Sequence, residues 1–378
     1  MITTLPTLYS RTSHGRIEQW TIQVEGANFY TTSGQYPGGK LTESLPTVCS
    51  GKNLGRSNAT TAEQQAVMEA QAKWDKKRKT GYWEDPADVD KFYFVEPTLA
   101  TPLDNVKGGL QFPCLVQCKY NGGCIIADAR GLWSRKGERY VSIPHIEEAL
   151  VPFFIDHPHA ILHGEAFNEE LREQLNELMS ILRTTKPEKL TPVFLARSRE
   201  VIEFFVYDGY CVGDGIGEAT PYSIRKFHID QELRGERIPY CRWVPTHVCQ
   251  VEAEVWQHYD ALLAAGHEGA IVRYPDSPYE HKRTKQIIKL KPCHDAEAEI
   301  LAVTEGTGNW TGTGKVFTLR WNGKEFDATL KGNMEQGRQV LTEKHQWIGR
   351  TVTFLYTSLT GLGVPHAARV DYGNCFKS

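Results

Sequence analysis

Apolar and polar residues alternate near the start of the chain. Trp20, Ile22 and Val24 lie between Gln19, Thr21 and Gln23, and after Gly26 the alternation resumes over 29–32. A period of two predicts strands with one face in a core, and the glycine break predicts that the two runs fold back as an antiparallel pair. Turn signals at Pro37-Gly38-Gly39 and Gly51-Lys52-Asn53 extend this into a meander. Then the period changes. Thr61, with Gln64 three residues on, has the form of a capping box, and Val67, Ala70 and Trp74 predict the inner face of a helix that closes at Gly81. An acidic, proline-marked stretch over 85–105 reads as a link to a new domain. Beyond it, strands and helices mix. Strands are predicted over 112–116, 124–127, 160–167, 201–207, 270–273 and 286–290, with 201–207 closing on Tyr207-Asp208-Gly209. Helices are predicted over 146–154 and 252–265, and Leu171, Leu175, Leu178 and Leu182 fall at helical spacing. From 298 onward, short strands over 298–303, 316–321, 325–330 and 351–356 alternate with glycine-rich turns, which is the pattern of a small barrel.

Composition narrows the class without naming a partner. With 378 residues and 40% apolar content the chain has enough material for two or three cores. No stretch of about 18 apolar residues occurs, and Met1-Ile2-Thr3-Thr4-Leu5 lacks the basic end and apolar middle of a signal peptide, so a cytoplasmic protein with no membrane partner is expected. Nine cysteines are scattered without a Cys-x-x-Cys pair; Cys114 and Cys118 are close but have no second pair downstream, which favours reduced core thiols over disulfides or zinc. A net charge of -3 argues against a uniformly basic nucleic-acid binder. Locally the balance differs, since Lys76-Lys77-Arg78-Lys79 ends the first helix, a place that suits both the helix dipole and phosphate contact.

The chemistry-bearing residues sit at strand ends. Lys119 follows the 112–116 run and opens the turn Tyr120-Asn121-Gly122-Gly123, where its amine is free to meet a phosphate. Glu165 interrupts a buried run, and a carboxylate there must be paired or bind a metal. Lys289 and Lys291 flank a leucine on one strand and so share a face, as a phosphate clamp would. Glu268-Gly269 opens another apolar strand.

Taken in order, Lys119-Tyr120-Asn121-Gly122, Ser134-Arg135, Gly164-Glu165, Val206-Tyr207-Asp208, Glu268-Gly269-x-x-x-Arg273 and Lys289-Leu290-Lys291 resemble the motif series of covalent nucleotidyltransferases, and over residues 95–378 the chain is similar to phage-type ATP-dependent DNA ligases. That resemblance implies an α+β, multi-domain protein. Residues 1–90, outside that resemblance, are expected from their own pattern and basic helix end to be a β-meander plus helix that binds DNA; the resemblance makes 91–292 an adenylation domain of antiparallel sheets and helices and 293–378 an OB-fold β-barrel. It implies sealing of 5′-phosphate/3′-hydroxyl nicks in duplex DNA by a monomer, with ATP and Mg²⁺, or Mn²⁺ in its place. Lys119 would be the nucleophile that takes AMP, with Lys289 and Lys291 aiding catalysis at the α-phosphate. Glu165 and Glu268 would hold the metal, Glu165 also lying near the sugar hydroxyls. Arg135 would contact the ribose or the nick phosphate, Tyr207 would stack on adenine, and Arg369 would orient the pyrophosphate. Four places depart from the family pattern. Asn121 stands where an aspartate is usual, Cys124 where an arginine is, and His163 where an aspartate precedes Gly-Glu; Arg369-Val370-Asp371-Tyr372 matches the final motif only in part. An RNA ligase of the same superfamily, or an inactive DNA-binding relative, remains as the alternative reading.

Overall fold

A computed structural model describes residues 2–12, 15–53, 55, 57–90, 94–172, 175–236 and 238–373. The anticipated boundary at 90–91 adjoins residues 91–93, which lie outside the described residues. The chain divides into two compact units, Val95–Pro292 and a second formed by Met1–Phe94 together with Cys293–Ser378.

In the N-terminal part, β1 (Ile2–Thr4), β2 (Leu8–Arg11), β3 (Ile17–Glu25), β4 (Asn28–Tyr36), β5 (Thr42–Glu43) and β6 (Thr47–Val48) form one sheet around the long β3/β4 hairpin. Trp20, Ile22 and Val24 face its core, as their alternation predicts. Helix α1 (Ala62–Arg78) begins at Thr61, and both arms of the capping box form: Thr61 Oγ1 accepts from the Gln64 N–H and the Gln64 side chain accepts from the Thr61 N–H. Its inner face differs by one position from the expectation. Ala66 and Ala70 are buried with Trp74 beside them, whereas Val67 is half exposed. Lysine stems take part in the packing: the Lys73 ammonium lies 4.5 Å from the Phe29 ring centre and that of Lys77 3.8 Å from Tyr82, so the sheet-facing side of α1 is partly built from amphipathic side chains that an apolar pattern does not count.

The Val95–Pro292 unit holds two five-stranded sheets. The first contains β7 (Leu99–Pro102) and β8 (Cys114–Cys118). The second begins with β9 (Gly123–Asp128) and β10 (Gly131–Ser134), and after helix α2 (Pro144–Asp156) it gains β11 (Ala160–Phe167). Helices α3 (Leu175–Leu182) and α4 (Pro192–Val201) precede β12 (Glu203–Cys211); α5 (Tyr222–Glu236) precedes β13 (Cys241–Trp243). The chain then returns to the first sheet with β14 (Thr246–Cys249), α6 (Glu252–Ala264), β15 (Ala270–Arg273) and β16 (Arg283–Leu290). Strand orders are β14-β8-β15-β16-β7 and β10-β9-β11-β12-β13. Each sheet buries one face under helices. Leu162, Phe204 and Val206 pack with residues of α2, α3 and α5, while Val116, Val272 and Ile288 pack with Val255 and Tyr259 of α6. The opposite faces carry the polar side chains described below.

The C-terminal part is the expected barrel. β17 (His294–Glu305), β18 (Gly314–Trp321) and β19 (Lys324–Lys331) are followed by α7 (Met334–Thr342) and α8 (Lys344–Trp347), then β20 (Thr351–Tyr356), the short pair β21 (Ser358–Leu359) and β22 (Pro365–His366), and β23 (Arg369–Asp371). The barrel closes in the order β17-β18-β19-β23-β20 around Ile300, Phe317, Leu319, Leu330, Phe354 and Val370. The α+β, OB-like architecture is thus as anticipated, whereas α7, α8 and the closing strand β23 were not. Among the described residues, no helix is long and apolar enough to cross a membrane.

Candidate active site

β8 and β16 flank β15, and both run antiparallel to it, so both leave the sheet at the edge where β15 begins. Gln117, Ile271 and Lys289 lie in register across the three strands. Two residues further along, Lys119 and Lys291 emerge on that same face, on either side of Glu268. Each lysine donates to a different carboxylate oxygen of Glu268. The Lys119 N–H donates to the Gly269 carbonyl at 3.0 Å, which fixes the strand exit against the entry of β15. Gly269 sits at φ 143°, and a Cβ there would strike the Leu290 carbonyl, so this corner takes only glycine. Gly122 is required for closeness instead: a Cβ would meet the Ala166 carbonyl of the other sheet.

The electrostatics follow from three lysines and one carboxylate in a half-buried corner. Burial works to raise the Glu268 pKa, but the charges of Lys119 and Lys291 outweigh it and hold the carboxyl below its usual range. Lys289 is pushed down by burial and by the charges of Lys291, Arg283 and Lys119. One carboxylate leaves this group of lysines with excess positive charge, which suits a polyphosphate.

The second sheet supplies the opposing groups. Cys124, Glu165 and Phe205 are in register across β9, β11 and β12. Burial pushes the Glu165 carboxyl up to about 7, with Lys119 pulling the other way and Glu268 adding to the rise. The Tyr207 hydroxyl adds a smaller pull downward. The strand does not close at 207–209 as expected; β12 runs on to Cys211. Here it bulges: His163 pairs with Asp208 and Gly164 with Val206, leaving Tyr207 as the extra residue. Consecutive strand residues ordinarily point to opposite faces, yet here both reach Arg273. Its guanidinium lies 5.2 Å from the Tyr207 ring centre, and its Nη1 donates to Asp208 Oδ2 at 2.9 Å. Asp208 is fully buried and also accepts from Arg225 at 3.1 Å, while Arg273 donates to Gln117 Oε1 at 3.0 Å. This network ties the two sheets together through Gln117, Arg273, Asp208 and Arg225. Asp208 and Arg273 lay within the motif series, but no role had been attached to either.

Two of the departures from the family pattern are neighbours. Cys124 Sγ lies 3.6 Å from His163 Nε2, which also meets the Tyr207 hydroxyl at 3.0 Å. Burial drives the His163 pKa down to about 3 and raises that of the Cys124 thiol. An uncharged contact therefore stands where the family pattern has an arginine and an aspartate. Arg135 lies exposed in the turn after β10, near enough for its charge to act on Glu165. Arg369 belongs to the other unit, on β23, with Nη2 3.8 Å from Cys293 Sγ. On the α6 side of the lysine-bearing sheet a cavity of about 300 Å³ is lined by Val116, Cys118, Pro245, His258, Leu262 and His267.

Comparison with known proteins agrees with this arrangement. A family model, the ATP dependent DNA ligase domain, matches residues 97–291, over half of the chain. The DNA ligase of African swine fever virus (strain Badajoz 1971 Vero-adapted) is 24% identical over 373 residues, covering 90% of this chain and 81% of its own. The DNA ligase of Haemophilus influenzae is 24% identical over 245 residues, covering 63% of this chain and 81% of its own. Among solved structures, one from a structure-function study of Lig E DNA ligases superposes with a TM-score of 0.59 at 18% identity, covering 74% of this chain and 98% of that one, a likeness of fold. The matched segment runs from just before β7 to Lys291 and contains Lys119, Glu165, Tyr207, Glu268 and Lys289; the chain belongs to the ATP-dependent DNA ligases.

Proposed function

We propose that this ligase seals nicks in duplex DNA as a monomer, in replication, repair or recombination, and that Lys119 carries the nucleotide. The observation behind this reading is the meeting of Lys119, Lys291 and Glu268 at one sheet edge, with Lys289 in the same charged neighbourhood. A free lysine amine has a pKa of about 10.4, so attack needs surroundings that favour the neutral form. Lys289 and Lys291 offer positive charge to the phosphates. The neutral amine attacks the α-phosphorus of ATP; a P–N bond forms, the bond to the β-phosphate oxygen breaks, pyrophosphate leaves, and the nitrogen gives up a proton to solvent. A 5′-phosphate oxygen of the nick then attacks the same phosphorus, the P–N bond breaks, and Lys119 is released. In the third step the 3′-hydroxyl attacks the 5′-phosphorus and AMP departs. Tyr207 and Arg135 serve the adenine and the ribose or nick phosphate, and Arg369 the pyrophosphate.

Glu165 and Glu268 are oxygen donors of the kind Mg²⁺ takes, with Mn²⁺ as a substitute, and the buried Glu165 carboxyl gains most from a nearby cation. When bound, such an ion supplies neutralisation of the phosphate oxygens. Both oxygens of Glu268 are engaged by lysines, so its share in holding the ion depends on the triphosphate drawing those lysines away.

The test is intact mass after incubation with ATP and Mg²⁺, followed by sealing of a 5′-phosphorylated nick on all-DNA and RNA-containing duplexes. Wild type should gain one AMP and seal the DNA nick; Lys119→Ala should do neither. An AMP adduct on Lys119→Ala would remove Lys119 from the role, and activity confined to RNA strands would overturn the choice of substrate.

A further inference from the structure

Behind the sheet that carries Tyr207, on the side away from the lysines, a second group of polar side chains gathers where three elements end. His157 stands just past α2, Cys211 ends β12, and Asp214 lies in the short turn after it. One donor atom from each of the three falls within 4.8 Å of the others. His157 Nδ1 is 2.9 Å from Asp214 Oδ2, yet it is buried and makes no hydrogen bond, so the contact is off the donor direction. His228 of α5 brings Nε2 to 3.0 Å from that same carboxylate oxygen. One turn later Glu232 places a carboxylate oxygen 3.4 Å from His157 Nε2.

We propose that His157, Cys211, Asp214 and His228 form a structural site for a zinc-type divalent cation. The set has two imidazoles, one thiol and one carboxylate, the nitrogen, sulfur and oxygen donors that Zn²⁺ takes in closed four-coordinate sites, and it does not suit Mg²⁺ or Ca²⁺, which want oxygen. Zinc bonds of roughly 2.0–2.3 Å put tetrahedral ligand atoms roughly 3.3–3.7 Å apart, so the 2.9 and 3.0 Å separations to Asp214 must open slightly, the wider ones within the His157, Cys211 and Asp214 group must close, and His228, which reaches Asp214 from outside that group, must move in to supply the fourth bond. His157 is oriented as a ligand should be. With Nδ1 toward the metal, its Nε2–H faces Glu232, the carboxylate–histidine relay that fixes the tautomer of metal-bound imidazoles.

The site would pin α2 and α5 to the end of β12. On α5, Arg225 lies one turn before His228 and clamps Asp208, three residues before Cys211 on β12. The metal and the Arg225–Asp208 pair would therefore secure the same helix to the same strand at two points, holding in place the bulge that presents Tyr207. Ligation by Cys211 and His228 would be separate from any Mg²⁺ used with ATP.

The full chain, stripped with chelator, is titrated with Co²⁺ as a spectroscopic probe and then with Zn²⁺. One equivalent of Co²⁺ should give the intense visible bands of a tetrahedral site with a thiolate charge-transfer band, and Zn²⁺ should displace it and raise the thermal midpoint. Cys211→Ser should lose the charge-transfer band. His228→Gln, a change at a partly exposed position, should keep the fold and weaken Co²⁺ binding at least tenfold. Absence of stoichiometric binding, an octahedral spectrum, a thiolate band that persists in Cys211→Ser, or unchanged affinity in His228→Gln would each overturn the site.

Discussion

Asp208 is enclosed by two arginines that are themselves buried: Arg225 is 1% and Arg273 4% exposed. Removing one partner of such a group leaves charge stranded away from water, which costs more than the pair contributes when intact. Asp208→Ala should therefore lower the stability of the Val95–Pro292 unit by about 3–5 kcal/mol in chemical denaturation. Glu147→Ala, which removes the exposed partner of Arg139, should cost about 1 kcal/mol or less. Equal losses would mean that the buried network is no stronger than a surface pair. The same residues mark a limit of local sequence pattern. Tyr207-Asp208-Gly209 has the composition of a turn, and what makes it a strand interior is backbone pairing with β11, Asp208 lying opposite His163 and Gly209 opposite Leu162, with Arg273, 65 positions away, taking up the Asp208 side chain. Lys119, Glu268, Lys289 and Lys291 were legible because each stands at the edge of an apolar run. That they meet follows from two strands leaving on either side of a third, a matter of topology. Likewise Cys124 and His163 read as two unrelated departures until β9 and β11 set them side by side.

At the scale of elements, the clearest signals were those closed within a few residues. The β3/β4 alternation and the Thr61/Gln64 box are local, and both stand in the structure. The cap has a measurable consequence: Thr61→Ala removes the acceptor for the Gln64 N–H and should cost about 1 kcal/mol, seen as a lower denaturation midpoint, while Thr61→Asn should hold it near wild type. If the alanine variant matched wild type, α1 would be held by its packing on the sheet alone. The inner face of α1 was read one position off because alanines and lysine stems, rather than Val67, cover the aromatics of the sheet. In the barrel, α7 carried a usable signal that went unread. Asn333 with Gln336 three residues on is the same kind of capping box, and both of its hydrogen bonds form. Its buried face, Gly337 and Val340 flanked by Met334 and Leu341, spans little more than two turns, too short a stripe to stand out beside the strands around it.

For the whole molecule, the net charge of -3 means that attraction to DNA cannot arise from overall charge and must come from local faces. The end of α1 is the face proposed for this, but its cations are not equivalent. Lys77 lies over the Trp20 and Tyr82 rings, and Arg78 pairs with Glu84, so both are partly committed to the fold. Lys76 and Lys79 are exposed, and under this proposal they are the ones that meet phosphates. Each phosphate contact that releases a counterion contributes about 0.9 to the slope of log affinity against log salt. Lys76→Glu with Lys79→Glu should therefore weaken binding of nicked duplex and reduce that slope by about two, evenly across sequences. The lysine chemistry belongs to the other unit, so AMP transfer to Lys119 should proceed at the wild-type rate in the same variant. A loss of both would mean that the change harms the protein generally. An unchanged slope with unchanged affinity would leave the helix end as a solvated cationic cap and shift the search for the DNA grip to the barrel and to Arg135.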